Sequence, residues 1–558
     1  MKHFLSDWRF FWLLLLLPVA LFLPAMPIDE TRYLSVAWEM RLHGDFLLLH
    51  LNGAPYSDKG PLLFWLINIA WLFAGPCVWV VRAGVLVVSL VSLVLFERLV
   101  RRLDDESSAG NRALARNATI ILSGIVYFAL FSSAIMFDVL LTACVLLALH
   151  GVLDLDARRW RRGIALFALG LGLGILTKGP VVLLDAGLVA ALAPWWSTTA
   201  REHKARWYGC VALGVIGGAV IALTWAIPAA LHGGPDYANA IFVRQTVGRV
   251  AKSFAHQRPF WWYFMVLPIM LLPWTLALRA PWPAWRDAVR ASAKSVRFAL
   301  VWFVPTFVAF CLVSGKQPHY LIPLLPALAL VLARVLDAPE ARLRARWFGA
   351  LLVVIGAGLA AFPYLAAHTD DIAPLARMVK AGTLTESSLR VFAGIWPLWG
   401  ILMTALGVWL LLRRDANAVK LALSSAVLAT LVMLGLAQGI GPYVDVTGAA
   451  ARIAQIQASG QPIAHLARHH GLFEFAGRLT QPLEMISYAD LRAWCEAHPD
   501  GEIVSFYTKY PITAKPDLDL PYRFGHIRFW RAADILTMPA PGTPAPAKPD
   551  DEDDTPDD

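Results

Sequence analysis

The residues most able to do chemistry lie in a few short polar islands between long apolar runs. DETRY (29–33) is the first, directly behind an apolar segment near the N-terminus. A carboxylate at Asp29 with the Arg32 cation one turn on suits acid/base work beside a developing charge; equally, Asp29 could cap a helix beginning near Thr31. YSDKGP (56–61) comes next. Gly-Pro punctuates a turn, which would leave Asp58 and Lys59 solvated, but the apolar run behind it puts Lys59 at headgroup depth. Asp138, in SSAIMFDVLL, either begins a helix or faces a water-filled cleft, and Lys178, in TKGP, either snorkels from a span end or meets an anion. Finally VRQTVGRVAKSFAHQRPFWWYF (243–264) and SGKQPHYLIP (314–323) supply Arg244, Arg249, Lys252, His256, Arg258, Lys316 and His319 beside Trp261, Trp262 and Tyr320. Ionisable groups at or beside membrane depth are expensive, so several on one face are a functional hypothesis by default.

The elements that position them are membrane helices. The chain has 558 residues, 58% hydrophobic and 16% charged, with a mean hydropathy of +0.56, outside the range of ordinary soluble domains. A net charge of +9 alone would fit nucleic acid, but the Lys and Arg fall in short clusters between apolar runs and an acidic tail closes the chain, so no nucleic-acid partner is expected. Cys77, Cys144, Cys210, Cys311 and Cys495 are scattered, without a C-x-x-C or a pairable framework, and read as small buried hydrophobes.

Cytoplasmic loops collect Lys and Arg, and a span needs about 20 apolar residues. Basic clusters stand at 98–116, 158–162, 201–206, 279–297, 342–346 and 413–420. Placing all of them in the cytoplasm predicts thirteen spans: the N-terminal apolar run, 78–98, 117–133, 139–156, 163–177, 180–196, 207–231, 261–279, 298–314, 319–337, 347–366, 393–412 and 420–440. The fifteen apolar residues 61–75 are too few to cross and are assigned to an interfacial or re-entrant helix. Loops 28–77, 134–138, 232–260, 314–318 and 367–392, and everything after 441, then lie on the opposite face, the periplasm in a bacterium. Every polar island above falls on that face. The basic cluster of the last island runs against the positive-inside bias, which suits an anionic lipid headgroup, above all a phosphate.

Residues 1–440 are thus an all-α polytopic membrane domain. Residues 441–538 interleave polar and apolar positions, alternating helix-like and strand-like runs, and are assigned to a small soluble α/β domain; 539–558, Pro/Ala-rich then acidic, are expected to be disordered. No phosphate-binding Gly-rich loop, zinc-hydrolase helix or nucleophile elbow is present. Activated substrate must arrive by another route, and outside the membrane a lipid carrier is the natural one.

The ordered set DETRY, GDF, NGxPYxDKGPLxxW, FD, TKGP, HxRPFWWY and SGKQPHYLIPLLPAL resembles the GT-C glycosyltransferases that use polyprenyl-phosphate sugars, in particular the ArnT-like aminoarabinose lipid A transferase branch, related to the protein O-mannosyltransferases. It runs through about residues 25 to 340. The resemblance implies a GT-C fold and a catalytic acid at Asp29, with a second acid at Asp138. It also implies a carrier-phosphate set of Arg32, Tyr56, Lys59 and Lys178, to which Arg258 and Tyr320 are added. The family usually has Glu-Lys-Pro-Pro where this chain has Asp58-Lys59-Gly60-Pro61; that Glu and an outer-loop His resembling His256 can hold a divalent metal ion in relatives, and Asp58 is one carbon shorter. The implied activity is transfer of a sugar from a polyprenyl-phosphate carrier such as undecaprenyl phosphate to lipid A, another cell-envelope glycan or a protein. It would take place at the periplasmic face of the inner membrane, with inversion at the anomeric carbon. A transporter or flippase of a lipid-linked sugar is the alternative; it predicts charges inside broken helices near the bilayer midplane.

Overall fold

The structure, a computed structural model, describes residues 7–104, 109–242, 257–290, 294–369, 371–380, 389, 393–413, 417–507, 510, 512–523 and 525–538. The chain divides into two compact units, and neither is one continuous stretch. The first comprises Met1–Leu23, Ser57–Ala360 and Leu398–Leu434; the second comprises Pro24–Tyr56, Ala361–Pro397 and the chain from Gly435 onward.

Among the described residues, eight helices are long and apolar enough to cross a membrane: Val78–Leu103, Phe137–Asp156, Trp160–Val181, Lys204–Phe242, Lys294–Leu312, Pro318–Leu336, Arg346–Ala367 and Ala418–Ser459. Each matches one of the expected spans, six containing it whole and Lys294–Leu312 and Pro318–Leu336 stopping two residues and one residue short of 314 and 337. The other five expected spans are short or interrupted. Trp8–Phe22 and Pro397–Leu412 are apolar but only 15 and 16 residues long. The expected span 117–133 breaks into Ala109–Ser123 and Val126–Phe131, with Ile125 extended between them. The expected span 180–196 is a relay of short 3-10, π and α turns after Gly179 (φ 72°), and 261–279 stops at Met270 before restarting at Trp274, behind Pro273. Apolarity was read correctly in these segments; Pro and Gly, which remove a donor or admit a left-handed turn, interrupt the helical ladder. Non-helical backbone at membrane depth is tolerated when protein surrounds it, and here Val182, Asp185, Ala186, Val189 and Ala190 are buried. The run 62–74 forms a helix of 13 residues, too short to span.

Phe137–Asp156 is the axis of the first unit. Nearly all of its side chains are buried, and it packs on Val78–Leu103 and Trp160–Lys178. Small residues permit this approach: a Cβ on Gly151 would sit 2.3 Å from the Phe167 backbone nitrogen, and one on Gly170 would sit 2.3 Å from that of Ala148. The two ends of this helix carry opposite kinds of site. Near its C-terminus the buried Asp154 pairs with Arg102 and, at 3.0 Å, with Arg162, anchoring the expected cytoplasmic arginine loops. Asp138 stands in its first turn, about 24 Å away along the axis at 1.5 Å per residue.

In the second unit, residues 463–531 build a five-stranded sheet in the order 484–486, 463–466, 502–505, 525–531, 518–522; the first three strands are parallel and the last two pairings antiparallel. Thr447–Ser459 packs on it through Ala449, Ala450, Ile453 and Ile456. His465, in the strand 463–466, and His469 and Glu474 after it are all buried, with His469 Nδ1 3.4 Å from Glu474 Oε1. Burial holds His465 well below its usual range and His469 down to about 3, so both stay neutral. Burial pushes the Glu474 carboxyl up to about 7, against the backbone N–H groups of Glu474 and Phe473 and the Ser35 hydroxyl, which pull it down.

Folding therefore favours protonated Glu474: its stabilising share is fully present below the ordinary carboxyl value of 4.5 and is lost as pH rises through about 7. Glu474→Gln cannot ionise. It is expected to match the wild type near pH 4.5 and to exceed it above pH 7 by about 3 kcal/mol, at about 1.4 kcal/mol per pH unit. Hydrogen exchange of the central strands in the full-length protein, followed against pH, measures this; equal protection of the two proteins at every pH would contradict it.

Candidate active site

The first unit gathers a cluster around Lys178. This residue ends the helix Trp160–Lys178, and Gly179, at φ 72°, turns the chain away immediately after it. Lys178 Nζ lies 2.6 Å from Asp138 Oδ1, and Asp138 is only 1% exposed. The same ammonium stands 4.5 Å from the centroid of the Tyr320 ring, close enough for a cation–π contact. Tyr320 lies in the 3-10 turn Pro318–Leu324, with His319 edge-on to it and Phe131 stacked on His319. One buried carboxylate and one aromatic face thus fix the direction of the Lys178 side chain, while the ammonium keeps further donor capacity.

Lys59 comes to the same end of the axial helix. Its Nζ is 6.0 Å from the ring of Phe137, the neighbour of Asp138, and Phe64, in the helix following the YSDKGP loop, packs edge-on against that ring at 5.7 Å. Gly60 explains how the loop gets there. A Cβ at this position would fall 2.1 Å from the Leu176 carbonyl oxygen, two residues before Lys178, so only glycine lets the Lys59 loop rest on the Lys178 turn. The departure from Glu-Lys-Pro-Pro therefore has a steric reason.

Arg258 joins through its backbone. Arg258 N–H donates to Ser314 O at 3.1 Å, Gln257 bridges Gly315, and Tyr263 Oη donates to Gln317 O at 3.0 Å, so segment 257–263 is tied to the strand of chain leading into Tyr320. The Arg258 guanidinium lies 5.9 Å from the Trp262 ring. Lys316, read from the sequence as part of an open basic cluster, is instead 3% exposed and donates to the carbonyls of Arg258 (3.0 Å) and Val313. It is a structural tie, because a buried ammonium must spend its donors on nearby oxygens. Arg244, Arg249, Lys252 and His256 lie outside the described residues.

Asp185 is a residue that motif and spacing did not single out. It sits in the π turn Leu183–Gly187, fully buried, with neither carboxyl oxygen hydrogen-bonded among the described residues, and it is electrostatically coupled to Lys178 and Asp138. Its signal was available: a lone acid inside the apolar run VVLLDAGLVAAL.

The second unit holds the other candidates. Asp29 is the first residue of the helix Asp29–His43, one position beyond its N-cap residue Ile28. Glu30, buried, takes the Met26 N–H at 2.8 Å. Asp29 Oδ1 accepts from Arg32 Nη2 at 2.6 Å and from Tyr33 Oη at 3.1 Å, while the Asp29 side chain stays 43% exposed. Burial, then Asp29 and Tyr56, push the Tyr33 phenol far up, so it remains a donor to Asp29. Burial alone would lower the Arg32 guanidinium, but Tyr56, Asp29 and Tyr33 together hold it above its ordinary value. Tyr56, 6% exposed, is pinned by its own backbone N–H donating to Leu49 O at 2.7 Å. A carboxylate that accepts from Arg32 and Tyr33 and is still open to solvent can orient a polar acceptor or take its proton.

Of Asp58 and His256, the residues that the resemblance offers to a metal, His256 lies outside the described residues; among the described residues no group of three or more His, Cys, Asp or Glu could hold an ion.

Fold and site together define an integral membrane glycosyltransferase of the GT-C type. A family model described as dolichyl-phosphate-mannose-protein mannosyltransferase matches residues 58–227, the stretch that runs from the Lys59 loop through Asp138 and Lys178. An undecaprenyl phosphate-alpha-4-amino-4-deoxy-L-arabinose arabinosyl transferase from Edwardsiella ictaluri is 31% identical over 384 residues, 67% of this chain and 67% of that protein. The one from Pseudomonas aeruginosa strain PAO1 is 33% identical over 316 residues, 55% of each. The chain belongs to this family of arabinosyl transferases. The crystal structure of ArnT from Cupriavidus metallidurans bound to undecaprenyl phosphate superposes with a TM-score of 0.70 over 95% of this chain and 97% of that one, at 21% identity, which confirms the fold. The transporter alternative anticipated a buried charge in a broken helix, and Asp185 is one; family membership nonetheless makes the protein a transferase.

Proposed function

We propose that the chain moves a 4-amino-4-deoxyarabinose-type sugar from undecaprenyl phosphate to a lipid A-type acceptor at the periplasmic face of a bacterial inner membrane. The observation that carries this is the Lys178 ammonium, fixed between Asp138 and Tyr320 with the Lys59 loop packed on its turn. It stands at the end of a membrane-length helix remote from the arginine-rich Asp154 end. The positive-inside bias assigns that arginine end to the cytoplasm and the cation cluster to the opposite surface.

In this reading Lys178 and Lys59, with Arg258, neutralise the carrier phosphate as it leaves, and Tyr320 borders it. Arg32 and Tyr56 keep the phosphate-holding role that the family resemblance gives them. The acceptor oxygen bonds to the anomeric carbon from the face opposite the phosphate, the bond from that carbon to the phosphate oxygen breaks, and undecaprenyl phosphate departs with the electron pair, inverting the centre. Asp29 orients the acceptor and takes its proton when it is a hydroxyl. A phosphate acceptor is already ionised, and Asp29 then only positions it. Cations fixed in advance where charge develops are the largest source of rate in such a sheltered site.

Purified protein in liposomes, given undecaprenyl phosphate-aminoarabinose and lipid A, is expected to yield sugar-modified lipid A by mass spectrometry. Donor crossing the bilayer without product would contradict the reading. EDTA tests the metal that the family resemblance offers to Asp58 and His256: a loss of transfer restored by a divalent ion would place a metal in the site, and unchanged transfer would leave the chemistry to the side chains named above.

A further inference from the structure

The C-terminal run ARHHGLFEFAGRLTQPL (467–483) carries no part of the reaction above, yet it grips the loop that carries Asp29 and Arg32. Both lie in the second unit. Ser35, fully buried one turn beyond Arg32, donates through Oγ to Gly471 O at 2.8 Å and accepts from Phe475 N–H at 3.2 Å. Trp38 Nε1 donates to Leu479 O at 2.9 Å, and the Arg478 guanidinium covers the Trp38 ring at 5.2 Å. Past the helix, Asn52 Nδ2 donates to Leu483 O at 2.8 Å and Asn52 Oδ1 accepts Leu483 N–H at 2.7 Å, a reciprocal pair like one rung of a sheet. Glu39 ties helix to hairpin by accepting the N–H groups of Asn52 and Gly53, the second at 2.9 Å. At Gly471, φ is 78° and a Cβ would stand 2.7 Å from Leu51 Cδ1 and 3.2 Å from Arg32 Cα, so backbone meets backbone directly under the proposed site residue.

These contacts fall on residues 32, 35 and 38 of one helix and on Leu51 and Asn52 of the hairpin His50–Pro55 that follows it. Ser35, Trp38 and Asn52 meet the backbone groups of Gly471, Phe475, Leu479 and Leu483 in the C-terminal run. Such bonds fix position and direction while leaving the side chains of Asp29 and Arg32 to the substrate.

We infer that segment 469–483 is a clamp that sets the orientation of the Asp29–His43 helix, and that Ser35 and Asn52 are positioning residues for sugar transfer, acting through Asp29 and Arg32. The inference rests on the assignment of those two residues to the site. Misplacing a reacting group by about 1 Å costs on the order of a hundredfold in rate, so loosening one anchor should cost about tenfold.

Ser35→Ala and Asn52→Ala in the full-length protein are each expected to lower kcat about tenfold with the donor KM little changed, and to accelerate amide exchange in 29–56 while the first unit keeps its protection. Asn52→Ala provides the test should Ser35→Ala fail to fold. Faster exchange with wild-type kcat would show a structural contact only and overturn the clamp, as would unchanged exchange. Asp29→Asn run in parallel separates the two claims: if it is inactive while both anchor variants turn over normally, the clamp alone fails. If Asp29→Asn is fully active, the site assignment fails and takes the clamp's catalytic role with it.

Discussion

Lys178→Met is expected to abolish sugar transfer and to destabilise the protein by about 3–5 kcal/mol, because the buried Asp138 carboxylate is left without the cation that compensates it. The loss of activity and the loss of stability have different causes, and a second substitution separates them. Asp138→Asn in the same chain removes the orphaned charge, so the double variant regains most of the melting temperature in detergent yet remains inactive. A double variant that also regains transfer would mean that the pair is only a structural ion bridge. Neither result is explained by membrane insertion, since both variants keep the span Trp160–Val181 apolar.

Asp29→Asn is expected to reduce kcat by about 10²–10⁴-fold, the range over which a positioned acid or base contributes, with little change in fold. Asparagine retains an oxygen for Arg32 and Tyr33, and the ion pair it weakens is partly exposed, worth at most about 1 kcal/mol. The size of the drop reports the acceptor's chemistry. With a hydroxyl acceptor the missing base should be felt at the upper end, and with a phosphate acceptor at the lower. Transfer at the wild-type rate would remove Asp29 from the reaction.

Asp138 and Lys178 were legible in the sequence because an ionisable residue beside an apolar run is too costly to be incidental, Tyr320 came from the outer aromatic motif and the family resemblance, and the structure brings these three together. Asp185 obeys the same rule and was passed over only because no motif surrounds it. Lys316 was misread for the opposite reason: it sits in a strong motif, but charge in a sequence does not reveal whether an ammonium faces a ligand or two backbone carbonyls. The spans with clean apolar runs were legible; those containing Pro273 or Gly179-Pro180 were not, because hydropathy counts side chains and ignores the backbone donors and dihedrals that decide where a helix stops. The grip of residues 469–483 on the first loop could not be read at all. Ser35, Trp38 and Asn52 bond to the carbonyl or N–H groups of Gly471, Phe475, Leu479 and Leu483, which nearly any residue type supplies.

The central claim is that the Lys178 cluster binds a lipid-borne phosphate, and direct titration with undecaprenyl phosphate tests it without any turnover. The folded Lys178→Met/Asp138→Asn protein is compared with the wild type by native mass spectrometry. A charge-assisted hydrogen bond is worth about 1.5–3 kcal/mol, so the account predicts saturable binding to the wild type and a Kd raised about 10- to 100-fold in the double variant. Equal affinity of the two proteins would contradict it.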